Sequence, residues 1–235
     1  IRLFRDELGW EQALFLINGL PESIRQLPYV QEQRLLALGN SGEPEQAIAG
    51  LRRLIEEHGA DPERHGLIGG RYKRLWRAAR QERVDAEQSR PSVNERRFLS
   101  KAIEHYRTGM QLDYNEYYCS ANLPLLLRAR NGRGDRNRAD IIEHFVIAAC
   151  ERAIELGSTD EWVWPTLLGA AFRSGDVDKA GELADRIETD ELPEWNLAAT
   201  LDDLADIVRQ YEDNAVRDEL SELVERLNEF LKEHG

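Results

Sequence analysis

Sulfur is scarce in this chain: two cysteines, Cys119 and Cys150, and a single methionine, Met110, among 235 residues. Two thiols cannot build a disulfide framework, so the composition fits a reducing compartment and a cytoplasmic location. Long apolar runs are missing as well. The longest uncharged stretches, residues 117–127 and 162–172, hold 11 residues each. A membrane-spanning helix needs roughly 18 or more, so no membrane partner is expected. From Ile1 the first residues read as helix and not as a basic, apolar leader. The expectation is a piece of a longer polypeptide. Five histidines, His58, His65, His105, His144 and His234, are scattered, with no CxxC and no HExxH. His58 and His65 stand near Glu57 and Asp61, but the turn at Gly59 lies between them and no cysteine is adjacent, so they read as satisfied or exposed histidines. Gly69-Gly70 follows no strand and the GxxxxGK[ST] pattern is absent, which excludes a phosphate loop. The acidic run Glu188, Asp190, Glu191, Glu194, Asp202 and Asp203 lacks the defined cleft that a pair of catalytic carboxylates needs. Neither catalysis nor a cofactor or metal is expected.

Lysine is rare too: Lys73, Lys101, Lys179 and Lys232 are 4 of 31 basic residues. The rest are arginine, the better bidentate ligand for anions. The formal net charge of −13 hides a partition. Residues 1–50 sum to −3, residues 51–139 to +7 and residues 140–235 to −17. Global charge is therefore a poor guide to partners, although nucleic acid is not expected. Solvated helix faces explain the pattern, and so does a local anion site in the basic middle.

What the sequence holds in quantity is helical period. Apolar residues recur at three- and four-residue spacing almost throughout, and no alternation of period two is sustained. Helices are expected over residues 10–20, 29–38, 44–58, 62–80, 95–112, 116–128, 139–156, 161–173, 177–188, 194–211 and 214–233. Residues 81–94 and 130–138 read as loop or frayed extension and as a Gly/Arg-rich turn. Pro124 lies inside a helical pattern and should bend or break it. On the helix from 139, Ile142, Phe145, Val146, Ala149, Cys150 and Ala153 read as the inward side.

The helices recur in pairs. Gly42-Glu43-Pro44-Glu45-Gln46-Ala47-Ile48 has a counterpart in Gly175-Asp176-Val177-Asp178-Lys179-Ala180, and a shorter one in Gly9-Trp10-Glu11-Gln12-Ala13-Leu14. Each is a turn, then a helix with alanine at its first inward position, where a small side chain lets two helices approach. Ile68-Gly69 with Tyr72 matches Leu168-Gly169 with Phe172, and Leu123-Pro124 with Leu127 is a weaker copy. Ala102, Tyr106 and Gly109 supply the matching second helix.

These residues resemble tetratricopeptide repeats, the helix–turn–helix units of about 34 residues. The spacing departs: Gly69 and Pro124 are 55 residues apart, and Pro124 and Gly169 are 45. The fold expected is all-α, with antiparallel helix pairs stacked into a right-handed superhelical solenoid of about 10–12 helices. Residues 1–28 would be an irregular first repeat, 29–190 the repeat core and 193–233 capping helices of one repeat domain. A narrower resemblance is carried by Gly70-Arg71-Tyr72-Lys73-Arg74-Leu75-Trp76, by Ala102-Ile103-Glu104-His105-Tyr106-Arg107-Thr108-Gly109, and by Asn122-Leu123 with Leu125-Leu126-Leu127. Over roughly residues 69–210 these look like the TRAF-binding regulatory region of the apoptosis signal-regulating kinases and its bacterial relatives. The resemblance implies a non-catalytic regulatory or scaffold module, set beside an effector or sensor domain in a bacterial defence or stress-signalling protein. It does not imply binding of a TRAF protein.

Helical-repeat modules bind on the surface lined by the first helix of each pair. Four residues after each small packing position lie Lys73, Arg128 and Arg173, one turn on and so in equivalent places. Arg74, Tyr118 and Asn122 lie close to that row in the repeat register. A row of cations suits a carboxylate, a phosphate or an acidic peptide. The same three fit helix C-terminal cations favoured by the dipole. Two functions stay open: protein–protein or interdomain interaction, and sensing of a small anionic ligand such as a nucleotide. Leu220, Leu223, Val224, Leu227, Phe230 and Leu231 on the last helix fit either a cap over the preceding pair or self-association.

Overall fold

A computed structural model describes residues 1–190 and 192–234, apart from the side chains of residues 2–4 and 234. Glu191 of the acidic run and the side chain of His234 thus lie outside the described residues. All regular structure among them is helical, in thirteen helices, and the contacts fall into two compact units, Ile1–Cys119 and Ser120–Gly235.

The first unit holds α1 (Arg2–Leu8), α2 (Trp10–Gly19), α3 (Glu22–Arg25), α4 (Pro28–Asn40), α5 (Pro44–His58), α6 (Pro62–Asp85), α7 (Val93–Leu112) and the start of α8 (Tyr117–Arg130). Helices α4 and α5 pair, as do α6 and α7, and α6 stacks on α4 and α5. The second unit holds the rest of α8, then α9 (Asp135–Glu155), α10 (Val163–Ser174), α11 (Val177–Asp190), α12 (Glu194–Val208) and α13 (Asn214–His234). Here α10 pairs with α11 and α12 with α13, while α10 touches α12 and α11 touches α13. First helix against first helix and second against second is the stacking of a helical-repeat fold. The single-turn α3, too short to show a period, takes the count past the expected twelve.

Small residues set the spacing. Ala13, Ala47 and Ala180, the first inward positions of the three matching turns, are at most 1% exposed. A Cβ on Gly69 would stand 2.9 Å from the Tyr106 ring, so α6 and α7 meet at that distance only because the position is glycine. Proline opens α4, α5 and α6 at a position whose N–H would be unbonded anyway. Gly59, at φ 87°, stops α5. In the second unit Leu220 and Leu227 of α13 are fully buried, and Leu223, Val224, Phe230 and Leu231 pack on the same core. The apolar face of α13 is therefore buried within its own unit.

Four local expectations need correction. The loop within residues 81–94 is confined to 86–92, because α6 extends to Asp85 and α7 begins at Val93. Arg80 lies 4.9 Å over the Trp76 ring, and Gln81 donates to Asp85 at 2.7 Å. Arg83 donates to the buried Glu95 at 2.8 Å, while the Ser92 hydroxyl caps the Glu95 N–H at 3.0 Å. The turn after α8 is likewise shorter than 130–138, because Arg130 grips the buried Asp135 at 2.7 and 2.8 Å and starts α9 there. Pro124 does not interrupt α8, which stays helical to Arg130. On α9, Phe145 points outward at 57% exposure; the buried stripe is Ala139, Glu143, Val146 and Cys150.

Gly69→Val should destabilise the first unit by about 1–3 kcal/mol, the usual cost of overpacking a closed contact. Urea unfolding of the whole chain followed by Trp fluorescence checks this, with Gly19→Val, where nothing lies within 4 Å of the added Cβ, showing the effect of the glycine replacement itself.

Candidate functional site

The first unit places its polar cluster where α8 begins against α6. Glu116 caps α8 by accepting from the backbone N–H groups of Tyr118 at 2.7 Å and Cys119 at 3.2 Å. That fixes the Tyr118 ring over α6, where its hydroxyl donates to the Gly66 carbonyl at 3.4 Å and its edge meets Tyr106 at 6.1 Å. Both phenol oxygens lie beside Gly70, 3.4 and 3.5 Å from where a Cβ would stand. Burial raises the Tyr118 hydroxyl far above its ordinary pKa, so it stays neutral.

Arg71 shares this part of α6. Its side chain is only 6% exposed and runs past Gly39 of α4; a Cβ on Gly39 would lie 2.6 Å from Arg71 Cδ. Nη1 donates to the Leu36 carbonyl at a long 3.4 Å, and Nε has no partner among the described residues. Burial, then the nearby charge of Arg74, pulls the pKa down to about 10, and only the phenols of Tyr118 and Tyr106 oppose the fall.

The six residues singled out from the sequence divide between the units. Lys73, Arg74 and Tyr118 belong to the first, where Lys73 is buried at 7% exposure, Tyr118 is half-buried and Arg74 is exposed. Asn122, Arg128 and Arg173 belong to the second. There Arg173 is bidentate on Glu143, with Nε to Oε2 and Nη2 to Oε1 both 2.7 Å. Arg128 donates to the same carboxylate at 3.2 Å and to Asp140 at 2.8 Å. The two cations thus share a carboxylate set in the buried stripe of α9, and the Arg173 side chain is only 6% exposed. Sequence reasoning passed over Glu143, although an acidic residue in an apolar stripe is a signal that a cation must meet it.

It also passed over a pair that joins α6 to α7. His65 Nδ1 and His105 Nδ1 are 3.2 Å apart, one donating and the other accepting. Tyr72 stacks on His105 at 5.8 Å, and Arg52 of α5 donates to the Tyr72 hydroxyl at 3.0 Å. Burial lowers both histidines, His105 to about 4; His65 and the cations Arg52 and Lys101 push His105 further down, while Glu104 opposes. For His65 the opposing charges are Asp61 and Glu104. Among the described residues no group of three or more histidine, cysteine or acidic side chains is placed to hold a metal ion. Both thiols are free and buried. Cys119 Sγ donates to the Pro62 carbonyl at 3.2 Å, and burial pushes Cys150 up to about 12.

Compared with known proteins, the chain matches the family described as Tetratricopeptide Repeats-Sensor over residues 9–127, just over half of its length. No curated protein matches it.

Glu143→Ala leaves Arg173 buried without its carboxylate and should cost about 3–5 kcal/mol in thermal or urea unfolding. The histidine pair makes stability depend on acid. Both groups have folded pKa values below the unfolded value of about 6.5, so the native state binds fewer protons. Stability is then complete above pH 6.5 and falls as the pH drops towards the folded value of about 4 for His105. Urea midpoints measured from pH 7.5 down to about 4.5 should decline, and His105→Gln should flatten the decline.

Proposed function

The chain belongs to the Tetratricopeptide Repeats-Sensor family, and from that premise we propose that it is a non-catalytic regulatory module. Its task is interaction with a protein partner or with a neighbouring domain of the same polypeptide. The setting proposed is a cytoplasmic bacterial defence or stress-signalling protein, in which the module controls an attached effector or sensor domain. The resemblance to the TRAF-binding regulatory region of the apoptosis signal-regulating kinases supports that setting. No helix among the described residues is long and apolar enough to cross a membrane. The observation that carries the reading is the repeat stacking itself: α4 on α6 in one unit and α10 on α12 in the other. Stacked first helices present side chains from separate hairpins side by side, which is how such repeats recognise an extended partner.

One observation favours sensing of a small anionic ligand such as a nucleotide. The basic middle of the chain contains a buried guanidinium, Arg71, that meets no carboxylate among the described residues. Interaction and sensing are compatible, because a ligand that binds one arrangement better shifts the population that a partner meets.

Hydrogen exchange on residues 1–235, alone and within the full-length polypeptide, tests the regulatory reading. Amides of α4, α6 and the start of α8 should exchange at least about tenfold more slowly in the longer chain, as expected when a surface is covered. Identical exchange in both, with output of the attached domain unchanged by Arg74→Glu, overturns it.

A further inference from the structure

Resting on the sensor reading, we infer that Arg71 anchors the anion site and that the group it receives is a phosphoryl group of a small molecule. A guanidinium keeps its charge when buried and brings five N–H donors in a planar fork. Taking such a charge out of water is costly unless a carboxylate meets it. Elsewhere the molecule obeys that rule: Arg64 reaches Glu32 at 2.7 Å, Arg173 reaches Glu143 at 2.7 Å and Arg83 reaches Glu95 at 2.8 Å. Arg71 is buried as deeply as these and, among the described residues, departs from it.

Its surroundings do not repair the deficit. The Leu36 carbonyl, at 3.4 Å from Nη1, carries no net charge. The phenols of Tyr106 and Tyr118 favour the cation, but the Tyr118 hydroxyl is held neutral by burial. Arg74, three residues further along the same helix, adds a second positive charge and opposes the first. Two neighbouring positive charges on one stretch of α6 complement a dianion better than a single carboxylate.

Geometry narrows the choice further. With Nη1 turned to Leu36 and Nε without a partner among the described residues, the edge left for a ligand is the one that Nε shares with Nη2. Those two N–H groups are parallel and meet two oxygens of one phosphoryl group. Gly39 lets α4 pack against the Cδ and Nη1 side of the Arg71 side chain, since a Cβ there would stand 2.6 and 2.8 Å from those atoms. The position is therefore built to hold a buried fork, and a lysine there would keep the charge while losing the two-point contact.

Isothermal titration calorimetry on the whole chain, with inorganic phosphate, pyrophosphate, ATP, citrate and a glutamate-rich peptide as probes, tests the assignment. Pyrophosphate or ATP should bind, and Arg71→Lys should weaken that binding at least about tenfold, with Arg186→Lys as an unaffected control. Unliganded Arg71→Met should melt at the wild-type temperature or above, because it removes an unpaired buried charge. If ATP or pyrophosphate binds wild type and Arg71→Lys equally, Arg71 is not the anchor, although the sensor reading stands. Binding of citrate or peptide alone overturns the phosphoryl choice. No binding by any probe overturns the sensor reading together with the site. A markedly lower melting temperature for Arg71→Met makes Arg71 a structural residue and overturns the assignment.

Discussion

Close approach of paired helices is the constraint on which the rest of the molecule depends. At Gly69 the α6 backbone comes so near the Tyr106 ring that even a methyl group would intrude. Ala47 and Ala180 do the same service at the start of α5 and α11. Once the backbones stand this close, a long side chain between two helices can run only along the groove, and its polar end must find a partner on the neighbouring hairpin. Arg173 and Glu143 come together in that way, across 30 residues of sequence. Tyr211 follows suit, reaching the Phe172 carbonyl at 2.5 Å from beyond the end of α12.

The repeat plan was legible because it is written in local period and in small residues at recurring places. Ala13, Ala47 and Ala180, the first inward positions of the recurring turns, are all buried, as are Ala102 and Tyr106 of the matching second helix. Pairing across the groove was not legible. The match of Gly69 with Gly169 holds in sequence, yet the two glycines do different work. Gly69 admits the Tyr106 ring, while the nearest neighbours of Gly169 are atoms of the Arg173 guanidinium, from 3.1 Å. Repeat register can place a cation, but its carboxylate comes from a helix whose own pattern gives no register for it. For the same reason Arg71 stands more than thirty residues in sequence from its neighbour Gly39 and from the Leu36 carbonyl, and shares no local signal with them.

Charge partition takes on another meaning in the folded chain. The basic middle is not a uniform field, because much of it is bound locally: Arg64 to Glu32, Arg83 to Glu95 and Arg130 to Asp135. Neutralisation of that kind restrains helix ends and hairpins. Beside these pairs Arg71, which meets no carboxylate among the described residues, stands out as a simple count of arginines would not.

The two cysteines that the chain can spare are also its natural reporters. Cys119 closes the first unit under Pro62, and Cys150 is sealed in the second, each fully buried and held as a thiol rather than a thiolate. Alkylating reagents need the thiolate and a path to it. Modification at either position therefore clocks the opening of its own unit, and the ratio of the two rates separates local loosening of one half from that of the other.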